Sequence, residues 1–328
     1  MGKYLNPKAD ITFKLVFAEN EGLMLSLLNA FIPLKKNGSF KSVTICSAEL
    51  LPVEVNYKNS VVDVRCKSNT GETFIVEMQM LWASYFDKRV LFNALKVYAE
   101  QLKSRASFLD LKNVYSLNLV NHIFEPDVPD YYHVYRITDS CHHEKVIEGI
   151  ELIFVELPKF LEAVKAGSEK ELVPNSRNLW LRFLTEIDEK TETAPKALLD
   201  NPETNKALGI VEVFALTDEQ RRAYDRYWDT VRLEEALYGA IKDAKEELML
   251  KTKENEHLQG ENEHLQGENE HLQGEKEQLQ GEKEQLQEEN CEIHQSLLRT
   301  AKYLKDMQVP LDRIMEMTGL SSEEIEEL

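Results

Sequence analysis

Asp63, Glu77 and Gln79 are the residues of this chain whose types and spacing best suit chemistry. They interrupt two stretches rich in β-branched and aromatic residues, Ser60–Cys66 and Thr73–Met80, which predict two strands. Because side chains alternate along a strand, Glu77 and Gln79 share a face. Two carboxylates opposed across strands repel each other, and a divalent metal such as Mg²⁺, which binds one or two carboxylates with waters and phosphates, would relieve that repulsion.

The register of the two strands decides whether the carboxylates meet. Ser68-Asn69-Thr70-Gly71 has the composition of a tight turn, since Asn and Gly tolerate positive φ. A hairpin folded about Thr70 places Asp63 directly opposite Glu77. A slip of one residue would instead move Asp63 to the other face, and one carboxylate would then face solvent without a metal.

The segments around the hairpin predict an α/β fold. Apolar residues recur at helical spacing in the segment that follows it, with Ser84 as the expected N-cap. The predicted order is helix Glu21–Phe31, strand Phe40–Glu49, the hairpin, helix Ser84–Ala106 and strand Asn113–Val120. Further strands are expected at Tyr131–Arg136 and Ile150–Glu156, and further helices at Lys159–Lys165, Ser176–Glu189 and Pro202–Leu216.

Several motifs, taken in order, resemble those of a known family. They are Asn6–Lys14 (NPKADITFK), Val62–Arg65 (VDVR), Val76–Gln79 (VEMQ), Gln101-Leu102 and Thr318–Ser321 (TGLS), together with Arg89 and Tyr98 on the helix after the hairpin. In this order they resemble the PD-(D/E)XK nucleases and, more narrowly, the Rpn family of recombination-promoting nucleases, often described as transposases. The likeness covers the first two thirds of the chain and its last thirty or so residues.

The resemblance implies a mixed sheet flanked by helices, the restriction-endonuclease-like core, and a Mg²⁺-dependent endonuclease acting on DNA. Mn²⁺ or Ca²⁺ could replace Mg²⁺. Asp63 and Glu77 would hold the metal, which activates a water and neutralises charge on the phosphate. Gln79 stands where the wider superfamily usually has Lys; an amide carries no charge but can orient the water or the phosphate.

Asp10 and Lys14 have two readings. Asp10 is a suitable N-cap for the short segment Ile11–Phe17. The resemblance instead implies that Asp10 and Lys14 lie near the active site, with Asp10 among the catalytic residues. In the helix after the hairpin, Arg89 and Lys96 are seven residues apart and share a face, which reaches phosphates or forms part of the solvated surface.

Composition limits how the chain meets nucleic acid. The formal net charge is −19 over 328 residues; from Lys251 onward there are 20 acidic and 8 basic residues, so the first 250 residues carry a net charge of −7. Tight sequence-independent DNA binding is therefore not expected from charge alone. No apolar run is long enough to cross a membrane and no secretory signal is seen. The four cysteines lack paired spacing, which favours a reducing cytoplasm.

A heptad repeat follows the predicted core. ENEHLQG occurs three times from Glu254, followed by EKEQLQG and EKEQLQE. Leucines fall every seven residues at position d, while position a is Asn or Lys throughout. Polar residues at a weaken a coiled coil but fix register and favour two parallel chains, and the repeated Gly weakens the helix further. We expect either a marginal homodimeric coil or a flexible acidic tether.

The expected domains are residues 1–245 for the nuclease, 246–295 for the repeat and 296–328 for a small helix-turn-helix-like cap. The acidic last helix, SSEEIEEL, would be repelled by phosphate, so an assembly or regulatory cap is expected. A regulatory cap of this kind could restrain the nuclease. The leading hypothesis is a DNA endonuclease whose breaks promote recombination. The alternative is a catalytically silent nuclease fold that acts as a coiled-coil interaction module.

Overall fold

The computed structural model describes residues 3–33, 38–50, 60–81, 83–102, 107–168, 170 and 173–328. The chain forms two compact units, Met1–Gly239 and Ala240–Leu328. The two units are described separately below.

A six-stranded mixed sheet forms the centre of the first unit, with strand order β1-β4-β5-β6-β8-β7. Its strands are β1 (Val43–Cys46), β4 (Val64–Ser68), β5 (Thr73–Gln79), β6 (Val114–Val120), β7 (Tyr132–Thr138) and β8 (Val146–Glu156). β5 pairs with β6, and β6 with β8, in parallel; the other pairs are antiparallel. The short strands β2 (Glu49–Leu50) and β3 (Ser60–Val61) form a separate two-stranded sheet.

The central strands are parallel because their sequences suit burial on both faces. All seven residues of β6 are buried, and β5 is buried from Thr73 to Met78, with Gln79 half-buried at its end. Such continuous apolar runs are typical of parallel strands covered by helices on both sides. The sheet therefore brings Glu77 and Gln79 to the carboxyl end of one of its inner strands.

Helices cover both faces of the sheet. The first unit contains α1 (Asp10–Phe17), α2 (Glu21–Phe31), α3 (Phe86–Glu100), α4 (Leu157–Lys165), α5 (Ser176–Glu186), α6 (Lys196–Asp200) and α7 (Pro202–Ile210). On one face, the largest apolar cluster includes Phe17 and Trp180, whose rings lie 5.3 Å apart. On the other face, Ala94 and Val97 of α3 belong to a second cluster with Ile75. The α/β architecture expected from the sequence, a mixed sheet flanked by helices, is confirmed.

The predicted hairpin has the expected register. Val64 pairs with Val76 and Lys67 with Thr73, as a fold about Thr70 requires. The strand before the turn is broken, however: Ser60–Val61 belongs to the two-stranded sheet, and β4 begins only at Val64. Asp63 lies in the bend between them, one residue beyond the last pair of the ladder.

Several predicted boundaries need correction. Phe40–Glu49 is not one strand, because only Val43–Cys46 joins the main sheet. α3 begins at Phe86 with Tyr85 at the N-cap position, so Ser84 is not the cap, and it ends at Glu100. The segment 103–106, which was expected to continue this helix, lies outside the described residues. The helices predicted to end at Glu189 and Leu216 end at Glu186 and Ile210.

A helix of 89 residues, α8 (Asp218–Asp306), starts in the first unit and continues through the second. The predicted capping box is present, since Thr217 N donates to Gln220 Oε1 (2.9 Å) and Gln220 N donates to Thr217 Oγ1 (3.2 Å). The heptad leucines are 53–65% exposed within the single chain. Across the described part of the chain, no helix combines the length and apolarity needed to span a membrane.

Two short helices complete the second unit. α9 (Leu311–Thr318) and α10 (Ser322–Glu326) pack on the end of α8 through Ala301, Ile314 and Ile325. Gly319 ends α9 with φ +70°, as a left-handed C-terminal residue requires. The capping box of Ser321 and Glu324 is present as predicted.

Candidate functional site

Asp63 and Glu77 lie together at the edge of the sheet where β5 ends and β4 begins. Glu77 faces α3 and is 5% exposed. Asp63 is held beside the same strand because its Oδ2 accepts a hydrogen bond of 2.7 Å from the backbone N–H of Met78. The bend before β4 thus turns the Asp63 side chain onto the end of β5, next to the residue that the register places opposite it.

Both oxygens of the Glu77 carboxylate have partners on α3. Asn93 Nδ2 donates to Glu77 Oε1 at 3.2 Å, and Arg89 Nη2 donates to Glu77 Oε2 at 3.1 Å. Asn93 is itself fixed by Ser60, whose Oγ donates to Asn93 Oδ1 at 2.6 Å. Arg89 and Asn93 are four residues apart and therefore share one face of the helix, which faces Glu77.

Gln79 joins the site through its amide. Its Oε1 accepts a hydrogen bond of 2.8 Å from Arg89 Nη2, and its Nε2 donates to the carbonyl of Leu81 at 2.6 Å. The side chain is half-buried and lies on the same face as Glu77. Arg89 therefore links Glu77 to Gln79 by a single nitrogen.

The two carboxylates are poorly compensated for their burial. Desolvation raises the pKa of Asp63 to about 6; the Met78 N–H opposes this rise, while the charges of Glu77 and Asp10 add to it. Burial also raises the pKa of Glu77, against the lowering effects of Arg89 and Asn93. Buried carboxyl groups with raised pKa values cluster at functional sites.

A third carboxylate at the same end of the sheet, that of Glu156, has a lowered rather than a raised pKa. Glu156, at the end of β8, contacts the ammonium of Lys159 and accepts hydrogen bonds from the backbone of Phe124 (2.6 Å) and Glu125 (3.0 Å). Burial would raise the pKa of Glu156, but these partners together hold it below its usual value. The partners of Glu156 therefore compensate its charge, whereas the charges of Asp63 and Glu77 are compensated only in part.

Asp10 and Lys14 lie close enough to Asp63 for their charges to affect its pKa. This agrees with the interpretation that placed them near Asp63 and Glu77. The N-cap reading is wrong: α1 begins at Asp10, and Ala9 occupies the N-cap position with no side-chain cap. Lys14 Nζ lies 2.7 Å from Asp10 Oδ1. Both charges act on Asp63, whose pKa is raised by Asp10 and lowered by Lys14.

Three residues of the site were not found in the sequence. Asn93 and Ser60 hold Glu77 through a chain of hydrogen bonds, and Tyr227 of α8 lies in the electrostatic field of Asp63 and Asp10. The pKa of Tyr227 is raised first by burial and then by those two carboxylates. The spacing of Arg89 and Asn93 on one helical face was a usable signal for Asn93. Nothing in the local sequence indicated Tyr227.

Lys96 does not belong to the site. It was expected to share an accessible face with Arg89, but its side chain is buried, at 7% exposure, and its Nζ donates to the carbonyl of Leu50 at 2.7 Å. This bond ties α3 to the two-stranded sheet. Of the two cations, Arg89 alone remains accessible to a ligand.

The chemistry of the donor set fits a hard divalent cation. Asp63 and Glu77 supply oxygen ligands, and Mg²⁺ commonly takes one or two carboxylates and completes its shell with waters and phosphate oxygens. Among the residues described, no group of three or more His, Cys, Asp or Glu side chains is arranged to hold a metal ion. A metal here would therefore depend on these two carboxylates and on oxygen atoms from solvent and substrate.

Comparison with known families identifies the class of this fold and site. The profile of the PD-(D/E)XK nuclease family transposases matches residues 7–233, more than two thirds of the chain, and that stretch contains the whole sheet and every residue of the site. The chain belongs to the PD-(D/E)XK nuclease family transposases. Neither the curated proteins nor the solved structures gave a significant match.

Proposed function

We propose that this protein is a divalent-metal-dependent endonuclease that hydrolyses phosphodiester bonds in DNA. In this proposal, Asp63 and Glu77 hold a Mg²⁺ ion, and Mn²⁺ or Ca²⁺ can take its place. The breaks promote recombination, as the likeness to the Rpn family implies, and the unpaired spacing of the cysteines supports a place in the reducing cytoplasm. Membership in a nuclease family supports the coarser part of this proposal: nuclease chemistry, a DNA substrate and a divalent ion.

The observation that carries the proposal is a pair of under-compensated carboxylates: the buried Glu77 near the carboxyl end of β5 and the half-buried Asp63 beside it, just before β4. A sheet selected for stability alone would pair such groups, as it does for Glu156. Asp63 instead has a pKa raised to about 6, and Glu77 a pKa raised by burial. Sites that store like charge in this way gain stability when a cation binds them.

Each side chain has a defined task in hydrolysis. A divalent cation held by Asp63 and Glu77 would neutralise charge on the phosphate and make a bound water more acidic. Gln79, half-buried beside Glu77, orients the attacking water or a phosphate oxygen through its amide. Asn93 keeps Glu77 in a single orientation, which preserves the position of the ligand oxygen. Asp10 is a further acidic group near Asp63, and its charge raises the pKa of Asp63.

Lys14 supplies a positive charge that Gln79 cannot. The side chain at position 79 is neutral, and the charge of Lys14, carried by α1, acts on Asp63. Its ion pair with Asp10 is half-exposed, so the ammonium can turn toward an anionic substrate at small cost. We assign Lys14 to phosphate binding at this site.

The experiment that tests the function is cleavage of supercoiled plasmid. Wild-type protein should convert plasmid to nicked or linear DNA with Mg²⁺ and leave it intact with EDTA. Asp63→Asn should reduce cleavage by orders of magnitude. Asp139→Asn is the matched control, because Asp139 is an exposed acid in the β7–β8 connection, away from the site. Equal loss in both variants, or no Mg²⁺-dependent cleavage by the wild type, would refute the proposal.

A second candidate function rests on the repeat. The heptad leucines are 53–65% exposed in the single chain, and they are the apolar surface of the repeat. We propose that residues 246–295 form a parallel homodimeric coil, that residues 1–245 form the nuclease domain and that residues 296–328 form a cap. If the plasmid assay shows no cleavage while the protein is dimeric, the interaction module is the better description.

A further inference from the structure

Arg89 places a positive charge on Glu77, one of the two carboxylates proposed to hold the metal. Its Nη2 reaches both Glu77 Oε2 (3.1 Å) and Gln79 Oε1 (2.8 Å). The guanidinium also lies over the ring of Phe86, with Cζ 4.9 Å from the centroid, a distance at which cation–π attraction is effective. A fixed positive charge thus occupies the outer oxygen of Glu77.

The burial of its partners shows which contact of Glu77 can open. Asn93, on Oε1, is 1% exposed and is anchored by Ser60. The side chain of Arg89, on Oε2, is 41% exposed. A cation that approaches Glu77 from solvent therefore meets Arg89, and it can displace the guanidinium without disturbing the buried hydrogen bonds.

We propose that Arg89 is an internal competitor for the divalent cation at Glu77, and that cation binding releases its guanidinium to the DNA phosphate backbone. This inference rests on the proposed function and concerns the same site. A guanidinium and a divalent cation compete for one carboxylate oxygen, because their positive charges repel each other at that distance and both draw on the same negative charge. Stacking on Phe86 keeps the released guanidinium beside the site, where its planar donors suit a phosphate.

The proposal couples metal binding to DNA binding. While Arg89 is paired with Glu77, neither the metal site nor the phosphate contact is available. When the cation takes Glu77 Oε2, the positive charge of Arg89 becomes free for substrate. The acidic chain, which carries a formal net charge of −19, would then attract DNA at this site chiefly when a metal is bound.

The first test measures metal binding by isothermal titration calorimetry at pH 8, where Asp63 is ionised. Arg89→Met removes the competitor and should bind Mn²⁺ about fivefold more tightly than wild type, the equivalent of losing a partly exposed ion pair of about 1 kcal/mol. Lys88→Met is the matched control, since Lys88 is an exposed cation on the same helix. Lys88→Met removes a nearby positive charge but keeps the contact between Arg89 and Glu77, so it should change the Mn²⁺ affinity by less than twofold. Circular dichroism checks that both variants are folded.

The second test measures DNA binding by fluorescence anisotropy as a function of salt, with Ca²⁺ or with EDTA, and with the duplex checked for cleavage on a gel. With Ca²⁺, the slope of log K against log salt should be smaller in magnitude for Arg89→Met by about 1, the value of one phosphate contact. With EDTA the slopes of wild type and variant should coincide, because Arg89 is then held by Glu77.

Two results would overturn the inference. Mn²⁺ binding by Arg89→Met that is equal to or weaker than wild type would show that Arg89 orients Glu77 rather than competes for it. A slope difference of the same size with Ca²⁺ and with EDTA would show that Arg89 contacts phosphate regardless of metal. Failure of the proposed function is distinguishable from these results, because it appears as no saturable Mn²⁺ binding by either protein.

Discussion

Replacing Asp63 by Asn should make the metal-free protein more stable at pH 8, which is the reverse of the usual effect of changing a half-buried hydrogen-bonded residue. The pKa of Asp63 rises from 3.8 to about 6 on folding. Since one pKa unit corresponds to about 1.4 kcal/mol, the ionised carboxylate costs the native state about 3 kcal/mol. Asn removes that cost; the stronger bond of the ionised carboxylate to the Met78 N–H is already included in this net shift.

The expected gain is therefore about 3 kcal/mol at pH 8. For a unit of this size, each kcal/mol moves the melting temperature by about 2–4 °C, so the variant should melt about 6–12 °C higher. The sign of the pH dependence follows from the raised pKa. The destabilisation by Asp63 is fully present above the folded pKa of about 6 and is lost as the pH falls to the unfolded value of 3.8. Wild type and variant should therefore converge near pH 4.

Added Mg²⁺ reverses the order of the two proteins. A ligand at about one thousand times its dissociation constant stabilises the native state by about 4.1 kcal/mol. Wild type should gain this stabilisation from Mg²⁺, whereas Asp63→Asn should gain little of it. Thermal melts at pH 8 and pH 4.5, with and without Mg²⁺, provide the comparison, beside the plasmid assay. An Asp63→Asn protein that melts lower than wild type without metal and still cuts DNA would remove Asp63 from the metal site.

Three further predictions concern the rest of the molecule. Asn93→Ala should lower the free energy of unfolding by about 1–3 kcal/mol, because Glu77 Oε1 and Ser60 lose their buried partner; urea unfolding measures this, and an unchanged midpoint would contradict the hydrogen-bond chain. Deleting Lys253–Glu289 should leave the nuclease unit folded but lower the oligomeric state, and an unchanged mass per particle in light scattering would favour the tether. Removing Ser296–Leu328 should not weaken DNA binding at physiological salt, because that segment is acidic; a loss of affinity would assign it to the DNA interface.

The sequence predicted the fold and the core of the site to the extent that they depend on local patterns. The hairpin register was predictable because turn chemistry between Val64 and Val76 fixes it. The break at Asp63 was not, since the run of β-branched residues before it continues without interruption and the break reflects pairing with β2. Buried strands and heptad leucines were also recognised, because their periodicities are strong.

Contacts between distant segments account for what was missed. Tyr227 is far from Asp63 in the chain, and its place in the site depends on how α8 packs against α1. Lys96 looked like a surface cation at helical spacing from Arg89, yet its ammonium reaches a backbone carbonyl of the two-stranded sheet. In both cases the sequence shows the residue type and its spacing. It does not show whether the side chain is buried, because burial depends on contacts with distant segments.

Glu77 and Glu156 show why burial alone does not identify a catalytic acid. Both lie near the carboxyl ends of parallel strands, and both are almost fully buried. Glu156 has a lysine at contact distance and two backbone donors within the same connection, so its charge needs no further partner. Glu77 has a neutral amide and one half-exposed arginine, and Asp63 beside it adds a second charge. Only the second arrangement leaves charge for a cation to neutralise, which is why we propose the metal at Asp63 and Glu77.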